Sequence, residues 1–394
     1  AANTDRDSYY GPGNDPLKAY GKTTDLTAMG GAQYVHTFDK CFFMPSDLTA
    51  GLEYNRDRLK DNMWGYNRHT DQTVNIYSAF LQNEWKNDRW GILIGGRLDK
   101  HNMVDNVIFS PRANLRFNPT QNINLRLSYS SGFRAPQAFD EDMHIENVGG
   151  TVAMIERAKD LKEEKSQSFS VSADMYHRFG AFQTNLLIEG FYTRLTDVFV
   201  LGKPYDRGDG ILVKTRSNGP GAKVMGLTLE GKVAYLSILQ IQAGLTLQRS
   251  RYDEPHKWHD DVPAKRTIFR TPNVYGYFTA TYIPIKPLSI ALSGTYTGSM
   301  FVQRMDITAK NAAMGDMPER KAEAVKTPKF LDLGVKLAYD FKLYKTVDLQ
   351  LSGGVQNILE AYQKDFDRGA NRDSGYIYGP ALPRSFFAGV KISY

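Results

Sequence analysis

Phe330-Leu331-Asp332-Leu333-Gly334-Val335-Lys336-Leu337-Ala338-Tyr339-Asp340-Phe341 places a large apolar side chain on every odd position from Leu331 and a small or charged one on every even position from Asp332 to Asp340. A period of two belongs to a strand with two unlike faces. The pattern recurs: Val347, Leu349, Leu351 and Val355 alternate with Asp348, Gln350, Ser352 and Gln356, and Leu239, Ile241, Ala243, Leu245 and Leu247 with Gln240, Gln242, Gly244, Thr246 and Gln248. Residues 123–129, 169–175, 225–235 and 288–296 read the same way. About fifteen such segments begin near Thr27, Asp47, Thr73, Arg89, Val107, Asn122, Lys165, Ala181, Lys223, Leu239, Asn273, Pro287, Pro328, Thr346 and Pro383. Most run about 10 to 14 residues, long enough to cross a hydrocarbon layer at a tilt.

The connections alternate in length. Those around Lys86–Asp88, Asn118–Gln121, Phe179–Gly180, Leu236–Ile238, Pro284–Lys286 and Lys342–Lys345 are tight. Between them lie long ones: Asp57–Gln72, Phe133–Glu164, Asp197–Ala222, Arg251–Pro272, Met300–Thr327 and Leu359–Leu382. A barrel inserted from the periplasm keeps its periplasmic turns small and leaves its outer loops free to grow. Amphipathic strands with no second apolar layer must bury their apolar face in lipid, and closing the sheet removes its edges. The expected fold is therefore all-β, a transmembrane antiparallel barrel. Trp85, Trp90, Phe117, Tyr129, Tyr192, Tyr282, Phe341 and Tyr394 are expected in its interfacial girdles. By strand parity Arg97, Asp99, Arg126, Glu189, Glu230, Lys232, Asp332, Lys336 and Asp348 face the lumen.

Composition agrees. The 394 residues hold 23 Tyr, 21 Phe and 34 Gly, residues suited to strands, girdles and turns. Mean hydropathy is −0.45, and no stretch approaches the roughly 18 apolar residues of a membrane helix. The net charge of +6 is spread along the chain without a basic run, which argues against a nucleic-acid partner. The single cysteine, Cys41, excludes an intrachain disulfide and a thiolate zinc site. The opening residues, Ala1 to Lys22, are polar and turn-rich. Either a leader has been removed or the polypeptide starts elsewhere.

Ser131-Gly132-Phe133-Arg134-Ala135-Pro136 is followed by Lys159-Asp160-Leu161-Lys162-Glu163-Glu164-Lys165-Ser166 opening the next strand. Asp197-Val198-Phe199, Gly226-Leu227-Thr228-Leu229-Glu230-Gly231, Val355-Gln356-Asn357-Ile358-Leu359 and Gly379-Pro380 with Pro383-Arg384 come after. As a set these boxes resemble those of TonB-dependent outer-membrane transporters over residues 25 to 394. Ala158-Lys159 departs from the family's usual Asn-Pro. The resemblance implies a 22-stranded barrel closed by an N-terminal plug, of which this chain is the C-terminal portion: about 15 strands, with the plug and first strands absent. Residues 1–24 are read as an extracellular loop segment and 25–394 as barrel.

It further implies a protein of the bacterial outer membrane, with membrane lipid around it, that binds a scarce nutrient and imports it on energy relayed by the TonB complex, which acts through the missing N-terminal region. The expected cargo is a metal chelate, haem or a ferric siderophore ahead of cobalamin. Alternatives are a glycan- or peptide-importing receptor working with a surface lipoprotein, and a passive porin. No catalytic residue, cofactor or resident metal is expected. Neither a phosphate loop, a Gly-x-Ser-x-Gly elbow nor a His-Glu-x-x-His helix occurs.

Three loop clusters carry recognition chemistry. Asp142, Met143, His144 and Glu146 lie in the longest loop, where haem receptors of the family carry a histidine. His144 is a candidate haem ligand there, the alternative being a solvated imidazole. Met300, Met305, Met314 and Met317 offer soft sulfurs in another loop, or plain packing. His256 and His259, with Asp253, Glu254, Asp260 and Asp261, offer metal-ligand types without a fixed geometry. Arg134, just beyond a strand end, is suited to hold a plug group or order a loop, ahead of cargo contact.

Overall fold

The computed structural model describes residues 1–9, 20–64, 68–138, 153–203, 205–208, 212–308, 319–344, 346–368, 373, 375–380 and 382–394. Its wall begins with β1 (Ala2–Tyr9), β2 (Tyr20–Cys41), β3 (Met44–Met63), β4 (Arg68–Lys86), β5 (Trp90–His101), β6 (Ile108–Thr120) and β7 (Ile123–Arg134), each antiparallel to the next. The chain leaves the wall for β8 (Ala153–Arg157) and returns in β9 (Glu164–Phe179) and β10 (Phe182–Thr196). It leaves again for β11 (Phe199–Leu201), β12 (Tyr205–Asp206) and β13 (Leu212–Asn218), which form a small sheet with β8. Then come β14 (Ala222–Tyr235), β15 (Leu239–His256), the short β16 (Lys265–Thr267), β17 (Val274–Ile285) and β18 (Leu288–Thr297). A separate hairpin, β19 (Phe301–Thr308) with β20 (Glu319–Lys326), precedes β21 (Phe330–Tyr344), β22 (Val347–Gln356) and β23 (Ser385–Ser393).

The main sheet has seventeen strands. Fifteen of them are the amphipathic segments of the sequence; β1 and β16 are the additions. Ala2–Tyr9 pairs residue for residue with Tyr20–Thr27, so part of segment 1–24 continues the wall. Among the described residues no ladder joins β1 to β23.

Register makes the outward face continuous, because residues directly opposite across an antiparallel pair point the same way. Leu227 faces Leu247, Leu229 faces Leu245 and Val233 faces Ile241; Leu337 faces Ile290, and Val355 faces both Val335 and Phe386. Side chains of this face stand open: Leu52 is 67% exposed, Val171 58% and Leu337 50%. That much contiguous apolar surface needs lipid rather than water around it. Rings flank it at both ends. Phe43–Trp85, Trp90–Phe117 and Phe179–Phe182–Tyr235 lie at the short turns, and Tyr54–Tyr77 and Tyr129–Phe169 toward the long loops.

The opposite face is polar and tied by ionic hydrogen bonds. Arg97 donates to Glu53 at 3.0 Å, Asp99 at 2.8 Å and Ser78 at 2.7 Å. Gln242 and Tyr277 both donate to Glu230, which also pairs with Lys232 at 3.1 Å.

Two expectations about length need correction. β2, β3 and β4 run 22, 20 and 19 residues, so the connection expected over 57–72 shrinks to 64–67. Beyond the lipid both faces meet water or polar partners, so apolar alternation stops while the hydrogen-bonded ladder continues. For the same reason four of the five other long connections contain strands of their own, β8, β11–β13, β16 and β19–β20, whereas the described residues of 359–382 form none.

Candidate functional site

Three of the family boxes, at residues 131–136, 159–166 and 197–199, meet at one corner. β7 ends at Arg134, opposite Glu164 in register. The Glu164 carboxylate accepts the Phe199 backbone N–H at 2.9 Å, and the Arg134 guanidinium lies 5.5 Å from the Phe199 ring centre. Asn218 accepts from the Lys162 N–H at 2.8 Å and donates to the carbonyls of Lys162 and Asp197. Asp197 takes φ +55°, which short polar side chains tolerate. Leu161 closes a turn onto the Ala158 carbonyl, next to Asp160, while Ala135 and Pro136 are buried beside Gly132 and Phe133. Arg157 donates to the Pro136 carbonyl at 3.0 Å. The Arg134 guanidinium thus lies against the loop that carries Phe199.

Phe199 in turn lines a cavity of about 260 Å³, built where four long connections converge. Phe199–Gly202 and Lys214 come from the β10–β14 connection. Tyr252, His256, Trp258, Lys265, Thr267, Phe269 and Arg270 come from the β15–β17 region, Gln303 from β19, and Asp373 and Gly375 from the segment before β23. Salt links hold these loops together: Asp260 pairs with Lys203 at 2.7 Å and Lys257 at 3.2 Å. Trp258 stands edge-on to Phe269, 6.5 Å between centres, and the Lys265 ammonium sits 4.3 Å over the Phe301 ring. The Trp258 Nε1–H is buried with no hydrogen-bond partner among the described residues. Burial lowers the His256 pKa, so its imidazole is neutral near pH 7.

One wall of the cavity is latched. Arg270 donates to the carbonyls of Ile377, at 2.7 Å, and Gly375. Its own backbone takes φ +58°, a costly conformation for a non-glycine residue, held by a 2.8 Å bond from its N–H to Phe301. Behind the latch, Val302, Phe330, Tyr376 and Tyr378 form a buried cluster. Burial pushes the Asp365 carboxyl up, but hydrogen bonds donated by Tyr378 and Tyr376 outweigh it and hold it below the usual range. Gly379 has φ +105°, and a Cβ there would meet the Phe330 ring at 2.7 Å. Asn357, at φ +49° and buried, accepts from Ala361 and donates to the Leu382 carbonyl, closing the base of this segment.

Of the residues singled out in the sequence, Met143, His144, Asp142, Glu146, Met314 and Met317 lie outside the described residues. Met300 packs against the Val302–Tyr378 cluster, away from the cavity. Met305 pairs through its backbone with Ala322. His256 lines the cavity, whereas His259 bonds with Asp261 at 3.4 Å. Among the described residues no three His, Cys, Asp or Glu side chains gather as a metal site. Trp258, Lys265, Phe269 and Arg270 escaped sequence reasoning. Their signal was the mixture of rings and cations over 249–270, dispersed by intervening acids.

The sequence matches the TonB dependent receptor-like β-barrel family over residues 1–358. The chain belongs to this family of receptors. Solved structures similar to this receptor include a variant of the ferric enterobactin receptor PfeA from Pseudomonas aeruginosa, with TM-score 0.68, 18% identity, 99% of this chain and 57% of that one covered. The siderophore receptor PirA from Acinetobacter baumannii gives 0.64, 16%, 95% and 55%. The FrpB iron transporter from Neisseria meningitidis gives 0.64, 15%, 95% and 56%. The chain therefore spans somewhat over half the length of each. No curated protein matches the receptor chain. Receptors of the family are outer-membrane transporters rather than enzymes.

Proposed function

We propose that the receptor lies in the bacterial outer membrane, binds a metal chelate at its long-loop end, and imports it with energy relayed by TonB through a plug and further barrel strands. The supporting observation is the cavity: Lys265 and Arg270 beside Tyr252, Trp258 and Phe269, with one buried indole N–H unpaired, suit an anionic chelate with apolar or aromatic parts. The names of the similar structures favour iron, and among chelates a ferric siderophore; haem and then cobalamin follow. A plug would meet the polar face, where Arg97, Glu53 and Asp99 present fixed charges. Residues 1–24 would belong to the outer end, where β1 and the start of β2 continue the wall, and 25–394 to the rest of the barrel.

Growth of a deletion strain on single iron sources, haem or cobalamin tests the cargo; rescue by none of them would sink the metal-chelate reading. His144, with Met143, Asp142 and Glu146 around it, remains the candidate for haem, and Met300 and Met305 for a soft-metal or ring contact. Titrating haem against wild type and His144→Ala decides the first, since equal affinity removes the imidazole.

A further inference from the structure

The inner face of the wall is not charged evenly. Glu230, on that face, lies opposite Gly244, Gly244 opposite Tyr277, and Tyr277 opposite Thr295. The even positions of β15 and the odd positions of β17 and β18 therefore point into the lumen. From Gln240 to Tyr252 on β15, Tyr275 to Thr281 on β17 and Ser289 to Thr295 on β18, these positions carry hydroxyls, amides, Gly244 and Ala291, and none carries a charge. The sector around β5–β7 is the opposite. There Arg97 lies opposite Ser110, Arg112 opposite Ser130 and Arg116 opposite Arg126, all on the face where Arg97 reaches Glu53 and Asp99.

The uncharged strip joins two cavities. Its upper end, Tyr252, lines the cavity that holds Phe199 and Trp258. Two residues below, Ser250 is 4% exposed, yet its hydroxyl has no hydrogen-bond partner among the described residues. At the short-turn end Gln240, Gln242, Thr279 and Thr281 line another cavity of about 340 Å³, with Gln183 and Asn185 beside them. Between the two, Thr246 bonds Thr228 at 3.1 Å, and Glu230 and Lys232 on the bordering β14 neutralise each other at 3.1 Å.

A charge on the wall fastens whatever meets it, a stopper through ion pairs or an anionic solute as a trap. Neutral hydroxyls and amides make weak bonds that water replaces one at a time, and passage needs sites weak enough to leave. We infer that cargo travels down the inner face of β15, β17 and β18, from the cavity at Trp258 to the cavity at Thr279, while the charged sector of β5–β7 keeps the plug in place. Ser250 offers an arriving solute its first hydrogen bond below the upper cavity. The inference rests on the reading of the receptor as a plugged importer and adds which part of the wall serves as the path.

The test uses the complete receptor in cells, with Cys41→Ser as background. Thr279→Cys and Ser293→Cys place thiols on the strip; Asn114→Cys and Ser128→Cys place them on the charged sector, the members of each pair being directly opposite one another. In energised cells a water-soluble maleimide should label the strip thiols about tenfold faster than the other two, which react only when the plug lifts away. Equal rates, or faster labelling of the charged sector, overturn the inference. Ferric enterobactin, named for a similar structure, serves as the uptake probe. A bulky adduct on Thr279→Cys should cut its import about tenfold more than the same adduct on Asn114→Cys, with binding retained in both. Import cut equally from both sectors overturns the path as well. If wild type neither binds nor imports this chelate, the cargo reading fails for it, and the labelling rates still judge the path by themselves. Two positions on each sector preserve the comparison if one variant fails to reach the membrane.

Discussion

The wall continues past its apolar band in two places, and the two continuations end differently. At the top of β2–β4 the inner face closes on itself: Asp61, 3% exposed, takes a 2.8 Å ion pair from Arg68 and a 2.7 Å hydrogen bond from Thr23. Around β15–β17 the same depth is left as a cavity, with Lys265 and Arg270 on its rim and the Trp258 N–H unanswered. Both regions use cations above the lipid. One neutralises them with a buried carboxylate; the other sets them on carbonyls and a ring around an open cavity.

Breaking the closed region should give the largest effect. Asp61→Ala removes the buried carboxylate shared by Arg68 and Thr23 and should cost about 3–5 kcal/mol in denaturant unfolding, without altering cargo affinity. A loss below about 1 kcal/mol would mean that the pair is effectively solvated and the contrast false.

Next comes the lock behind the cavity. A carboxyl held below its usual value contributes stability that is fully present above the unfolded carboxylate pKa and lost as pH falls through the lowered one. Hydrogen exchange over 357–368 and 375–380 should therefore quicken in acid below about pH 4 in wild type. Asp365→Asn should be quick at neutral pH already and lose most of that dependence. A wild-type segment indifferent to acid would show that Asp365 does not hold it.

The latch separates side chain from strain. Arg270→Ala should speed exchange around 375–377 about tenfold, while Arg270→Gly should do the same and recover global stability by relieving the positive φ. Identical stability of the two variants would mean that φ +58° stores nothing.

Trp258→Phe keeps an aromatic ring but removes the pyrrole N–H donor, so cargo affinity should fall about three- to tenfold while the fold persists. Unaltered affinity would take the indole out of the site. The smallest change is the control on the outer surface: Lys60→Ala, which breaks the exposed 3.5 Å pair with Asp71, should stay within about 1 kcal/mol.

These regions also differ in how legible they were. β21 could be read from Leu331 to Phe341 because lipid on one side and water on the other impose a period of two on every residue. Past Tyr54 that rule lapses, so β3 ran on to Met63 unseen. The boxes around Arg134, Asp197 and Asn357 were recognisable as words. Their meaning, a left-handed turn at Asp197 and at Asn357 and a guanidinium stacked behind Phe199, required the fold. The loop histidines and methionines drew attention as metal-ligand types, yet of those described Met300 went to packing and His256 alone reached the cavity.

The sequence by itself determined the wall, its two faces and the short and long ends, since each follows from contacts with solvent or lipid that neighbouring residues share; the family was legible from its boxes alone. Only the tertiary structure decided which loop residues meet. Phe199, Trp258, Gln303 and Gly375 are brought together from four separate connections, and a cavity made of such distant parts leaves no periodic trace in the chain.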